Sequence, residues 1–192
     1  MNVFDFDGTI YNGDSSVDFW LFCLSKKAAL IRYLPYQLNG AFLYKIGKLS
    51  KEEFKSRYFI FITEFLDIDT IVKAFWDKKE YKIKKWYMAI RKEDDCIISA
   101  SPSFLLSEIC SRLGIKNLIA TEVDKQTGKL IGKNCHDKNK PDFYFNRFNN
   151  IEINEFYSDS KSDEPMAKLA DKAFIVHKNT IIEWRNKAWR RN

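Results

Sequence analysis

One short β-type run is cut off from every later strand by a long helical stretch. Residues 2–6, Asn2-Val3-Phe4-Asp5-Phe6, read as a strand that ends at a Gly8-Thr9 turn. From there to residue 92 the apolar spacing is helical, with Phe19, Leu21, Phe22, Leu24, Leu30 and Ile31 recurring at helix-like intervals. Ser50 precedes Glu53 by three, the capping-box spacing, and opens a helix with Phe54, Tyr58, Phe61 and Ile62 on one side. Asp67 or Asp69 caps a further helix running towards Met88. The segment predicts about four helices. Phe19, Trp20, Phe22, Phe42, Tyr44, Phe59, Phe61 and Phe65 read as their packing core.

The pattern then changes. Strand-like runs at 96–100, 117–120, 153–157 and 173–176 alternate with helical stretches at 103–113, 143–150 and 164–170, and a turn at 125–128 joins Val123 to Leu130. Strands alternating with helices indicate a parallel α/β sheet. The expected architecture is a Rossmann-like α/β core from residues 1–14 and 93–192, with an all-helical insert over 15–92.

Composition excludes several classes. The chain has 192 residues, 45% of them apolar, and a chain of this size buries roughly 70% of its unfolded surface. No run of 18 apolar residues is free of charge, so no membrane-spanning helix is expected. The start has no basic n-region followed by an apolar stretch, so no secretory signal is expected. Cys23, Cys96, Cys110 and Cys135 show no CxxC spacing and read as free thiols of a reducing cytoplasm. The net charge of +6 is uneven: residues 20–92 hold 16 Lys/Arg and 7 Asp/Glu, the remainder 16 and 19. A basic surface attracts anions. A solvated helical face explains it most simply; a phosphorylated substrate, nucleic acid or an anionic membrane are the alternatives. The terminal WRNKAWRRN reads as a turn docked by Trp184 and Trp189.

Four features stand at the C-terminal ends of expected strands, where open α/β sheets bind ligands. In DFDGTI, Asp5 and Asp7 are two apart and face one way on an extended strand end. Two carboxylates so placed are costly without a cation between them, and oxygen ligands suit Mg²⁺. Ser99 ends the CIISAS run, where its hydroxyl and nearby backbone N–H groups suit a phosphoryl oxygen. Lys140, in NCHDKNKP, is a point charge suited to phosphate, with Lys133 and Lys138 as rivals. Asp159 and Asp163, in YSDSKSD, share a face where a strand gives way to a helix. His136 beside Cys135 has no second pair at ligand spacing and reads as a loop histidine.

With these four motifs in this order, the sequence resembles the haloacid-dehalogenase-like hydrolase superfamily. The stretch SASPSFLLSEICSRLGIKNLIATEVDKQTGKLIGKNC and the helical insert after the first motif resemble its phosphoserine-phosphatase-like subfamily, whose insert is a cap domain. The resemblance implies that Asp5 is a nucleophile forming an aspartyl-phosphate and that Asp7 is the general acid and base. It implies Mg²⁺ held by Asp5, the Asp7 carbonyl and Asp159, with Asp163 steadying the metal shell or Lys140. Ser99 and Lys140 would hold the phosphoryl group, with help from the backbone N–H groups of Gly8 and Thr9.

There are departures from the pattern. Ala100-Ser101-Pro102 replaces a glycine-rich turn at the floor of the substrate pocket, and Ser158 replaces a glycine before Asp159. Asp14 stands where those relatives carry a longer glutamate, and Arg57 is the candidate for a substrate carboxylate. The expectation is therefore a Mg²⁺-dependent phosphatase of a small phosphorylated metabolite, not specifically phosphoserine. A phosphotransferase using the same site is the first alternative. A non-enzymatic module that binds RNA or membrane through the basic segment is the second, although no RNA-binding motif is visible. The run FWLFCLSKKAALIRYLPY is apolar, aromatic and basic together and keeps a lipid-like substrate open.

Overall fold

The computed structural model describes residues 1–149 and 151–184. Six strands form one sheet: β1 (Asn2–Phe4), β2 (Cys96–Pro102), β3 (Asn117–Thr121), β4 (Ile153–Ser158), β5 (Ala170–His177) and β6 (Thr180–Glu183). Their spatial order is β3-β2-β1-β4-β5-β6. All pairs are parallel except β5–β6. The stranded N-terminal run is therefore central, with Val3 opposite both Cys96 and Phe156. β2 and β3 lie to one side of β1, and the chain returns to its other side at β4. The β1/β4 boundary is the switch point at which such sheets open a crevice.

Side chains alternate across the sheet, as the period of two demands. Val3, Cys96, Ile98 and Phe156 enter one apolar layer with Met166 and Ala167. Phe4, Ile97 and Tyr157 enter the other, together with Phe19, Phe61, Phe75 and Trp76 of the helical segment. This second core runs without a break from the sheet into residues 15–92. Trp76 Nε1 donates to the Leu105 carbonyl at 2.7 Å and fastens the helical segment to the helix that follows β2.

The helical segment holds α1 (Ser15–Lys26), α2 (Leu34–Lys45), α3 (Lys51–Phe59), α4 (Ile68–Lys79) and α5 (Lys85–Ile90). Asp14 caps α1, accepting from Val17 N at 2.9 Å. Both capping-box bonds of Ser50 and Glu53 are present at α3. Asp67 caps α4, but the helix expected to reach Met88 breaks after Lys79. There the backbone is drawn to the first-motif loop: Ile83 bridges Tyr11, and Lys84 N donates to the Ile10 carbonyl.

The core of the sheet is completed by α6 (Ser103–Arg112), α7 (Lys140–Phe148) and α8 (Glu164–Ala167). α7 begins three residues before the sequence reading placed it, with Pro141 in its first turn, where a missing N–H costs nothing. β5 takes in Ala170, shortening the helix before it. β6 was not anticipated: all four residues are exposed on a sheet edge, so no alternation marks them. Two of the aromatics expected in the core are not there. Phe42 is exposed on the side of α2 away from α3, and Tyr44 is exposed although it stacks on Phe54 of α3. Trp184 packs against the apolar layer that contains Val3, whereas Trp189 and the rest of the basic terminus lie outside the described residues. All four cysteines are free and buried. Among the described residues no helix is long and apolar enough to cross a membrane.

Candidate active site

Asp5, Asp7, Ser99, Lys140, Asp159 and Asp163 line one cavity of about 390 Å³ at the C-terminal ends of β1, β2 and β4. Lys140, in the first turn of α7, is 2% exposed and donates to Asp5 Oδ1 and Asp163 Oδ2, both at 2.7 Å. Burial alone would depress its ammonium, but the two carboxylates outweigh that and hold it above its ordinary range. Ser158 Oγ also donates to Asp163 Oδ2, at 2.8 Å. Asp163 thus takes both donors on Oδ2, which sets it behind Lys140, one of the two places expected for it.

Asp5 is pushed up from the usual carboxylate range by burial, with Lys140 opposing. Its second oxygen meets only a long 3.5 Å contact from Thr9 Oγ1. Asp7 is differently held. Ser15 N donates to its Oδ1 at 2.6 Å and Ser101 Oγ to its Oδ2 at 2.5 Å. Burial, then the charge of Asp14, nevertheless raises it to about 6. Ser99 Oγ accepts from Ser101 N at 3.0 Å, which leaves its own hydrogen for another acceptor.

The turn between the two motifs is tightly built. Gly8 has φ +73°, and a Cβ there would overlap the Asp159 carboxylate. Thr9 Oγ1 accepts from Asp159 N at 2.8 Å, locking the fourth motif to the first. Lys84 Nζ donates to the Gly8 carbonyl and, at 2.6 Å, to that of Lys178. Burial raises the Asp159 carboxylate, against a hydrogen bond from its own backbone N–H and the more distant charges of Lys84 and Lys140.

These observations test the fit of a metal. Among the described residues no cluster of three or more His, Cys, Asp or Glu side chains is arranged around a point. Asp5, whose Oδ1 is held by Lys140, and Asp159 nevertheless present carboxylate oxygens to the same cavity. Mg²⁺ is commonly held by one or two carboxylates and keeps several waters, so this all-oxygen donor set fits it.

The outer wall comes from the helical segment, through Val17, Lys51, Phe54, Lys55 and Tyr58. Lys55 donates to Asn134 Oδ1 at 2.8 Å and to the Ala100 carbonyl, and burial brings it down to about 8. His136 also lines the cavity and is pushed down to about 4, first by burial and then by Lys51 and Lys140. Asp14 reaches the wall while capping α1.

Arg57 does not join them. It stacks on Tyr36, 5.0 Å from the ring, and donates to Asn39 on the far side of α3. With the helix starting at Lys51, positions 51, 54, 55 and 58 share one face and 57 does not. The sequence reading missed Lys51, Lys55 and Lys84. The capping box at Ser50 carried the signal for the first two, since it fixes the phase of α3.

A chain similar to this one is the histidinol-phosphatase of Neisseria meningitidis serogroup C (strain 8013). It is 26% identical, over 94% of this chain and 91% of that one. A solved protein of unknown function from Bordetella pertussis Tohama I superposes with a TM-score of 0.72 at 18% identity, over 90% of this chain and 87% of that one. A phosphoserine phosphohydrolase-like protein from Francisella tularensis subsp. tularensis SCHU S4 gives 0.57, also at 18%, over 90% and 86%. At that identity the two structures speak for the fold alone. The profile of the haloacid dehalogenase-like hydrolases matches residues 3–168, a span that takes in β1, the helical segment and the sheet through β4. The chain belongs to the haloacid dehalogenase-like hydrolases.

Proposed function

We propose that this hydrolase is a Mg²⁺-dependent phosphatase that cleaves a small phosphomonoester through an aspartyl-phosphate on Asp5. The observation that carries this reading is the pairing at the head of the cavity. One aspartate is held by a buried ammonium, and a second, two residues on, is held by two hydrogen-bond donors.

A carboxylate oxygen of Asp5 attacks phosphorus as the ester P–O bond breaks. The leaving oxygen takes its proton from Asp7, whose raised affinity lets it carry one near neutral pH. Asp7 then accepts a proton from water as that water attacks the aspartyl-phosphate, which releases inorganic phosphate and restores the Asp5 carboxylate. Ser15 and Ser101 keep the Asp7 carboxyl aimed throughout. Lys140 and the Ser99 hydroxyl offer donors to the phosphoryl oxygens. Asp5, Asp159 and the Asp7 carbonyl would hold the Mg²⁺, which when bound neutralises charge between the attacking and transferred anions. The backbone N–H groups of Gly8 and Thr9 remain candidate phosphoryl donors.

In this reading residues 15–92 are the cap. Val17, Phe54 and Tyr58 give the leaving group an apolar wall, and Lys51 and Lys55 give it a cationic one. The Neisseria relative is, by its name, a histidinol-phosphatase; the class that carries over here is a small phosphorylated metabolite.

The test is release of inorganic phosphate from an aryl phosphate, with Mg²⁺ and with a chelator, by wild type and Asp5→Asn. Turnover that needs the metal and is lost in the variant is expected. An Asp5→Asn protein with wild-type turnover would overturn the reading.

A further inference from the structure

α2 is apolar on both sides, yet only one side is covered. At 100° per residue, Tyr36, Gln37, Gly40 and Tyr44 lie together. All four meet α3: Gln37 Nε2 donates to the Tyr58 carbonyl, and Tyr44 stacks on Phe54. Tyr36 lies under the Arg57 guanidinium, and Gly40 sits close against the Arg57 side chain. Pro35, Leu38, Phe42 and Lys45 lie on the opposite side, continued by Ile31 before the helix and Ile46 after it. Leu38 and Phe42 are each 60% exposed, and Ile31 is 52% exposed. A helix with apolar residues all round is normally buried all round.

Charge says what covers it. Residues 19–51 carry six Lys/Arg and no Asp or Glu. Lys27 and Arg32 are engaged by Glu64. Lys26, Lys45 and Lys48 have no carboxylate within ion-pair distance among the described residues. A second copy on a twofold axis would set these cations against one another. A nucleic acid would meet the cations but leave Leu38 and Phe42 in water. An anionic bilayer accepts both, taking the apolar side chains at its acyl boundary and the lysines at its headgroups.

We propose that the outer face of α2, with Ile31 and Ile46, docks the protein peripherally on an anionic membrane surface. The helix lies in the interfacial plane. α3, which lines the catalytic cavity, is its neighbour, so the docked enzyme works within one helix layer of the lipid.

Sedimentation with vesicles of phosphatidylcholine, with and without about one third phosphatidylglycerol, tests this. The protein should partition onto the anionic vesicles at low salt and less at high salt. Leu38→Asp with Phe42→Asp should lower the partition coefficient about a hundredfold, from two apolar side chains lost to the interface. Aryl phosphate turnover and the thermal melt should stay as in wild type. Lys45→Glu with Lys48→Glu keeps the apolar face and should abolish the preference for anionic vesicles. Failure of the wild type to bind anionic vesicles at low salt, equal binding to neutral ones, or a dimer dispersed by the aspartate pair would each overturn the proposal. None of these results depends on whether the enzyme is a phosphatase.

Discussion

Asp5 and Asp7 are separated by one residue but live in different fields. Asp5 shares an ammonium with Asp163, whereas Asp7 is held by neutral donors. The consequences of losing a partner differ accordingly. Lys140→Met strands two buried carboxylates, and removing one member of such a group costs about 3–5 kcal/mol. Urea unfolding should register that loss, and turnover should vanish. Ser101→Ala removes one of two donors to Asp7, and a hydrogen bond to a charged group is worth about 1.5–3 kcal/mol. A fall in kcat of about tenfold or more, with KM little changed, is expected from steady-state kinetics; a change confined to KM would contradict this role for Ser101. Lys55 bears on pH. Burial lowers its pKa to about 8, so the cationic wall discharges as pH rises through that value. Activity should fall first as Asp7 loses its proton near 6 and again near 8, and Lys55→Arg should remove the second step because a guanidinium keeps its proton.

At the scale of elements, α3 decides which basic residues face the cavity. Its phase is set at Ser50, where Ser50→Ala should cost about 1 kcal/mol of stability, read as a lower denaturation midpoint. The phase turns Lys55 inward and Arg57 outward. Arg57→Ala should therefore leave kcat/KM within about twofold, the size of an ordinary surface change, and a large loss would restore Arg57 to the site. This is also where the sequence was legible and was misread. Ser50 and Glu53 announce the helix start, and the wheel that start implies turns Arg57 to Tyr36, away from the place the resemblance implies for it. The strands from β2 to β5 and the motif residues at their ends were readable because parallel strands are continuous apolar runs. β6 was not, since its exposed Thr180, Ile181, Ile182 and Glu183 owe their conformation to pairing with β5. Nor was the outer face of α2: Phe42 has the spacing of a core residue, and nothing local says that its side of the helix has no neighbour.

At the scale of the molecule, the apolar layer shared by the sheet and the helices makes residues 15–92 hard to unfold alone. Phe4 and Ile97 of the sheet are buried in the same cluster as Phe19 and Trp76. One cooperative transition, superimposable by tryptophan fluorescence and far-UV circular dichroism, is expected on chemical denaturation. Two separated transitions would show that the helical segment has a stability of its own. The central place of β1 has a further bearing on how the protein comes into being. Val3 finds one parallel neighbour at Cys96 and the other at Phe156. Pairings this distant in sequence form late, because a long loop must close before any contact rewards it. On the ribosome the two aspartates of the first motif are made well before β2 and β4. They stay without their sheet until β4 has been synthesised, so the first and fourth motifs cannot meet on the nascent chain before then.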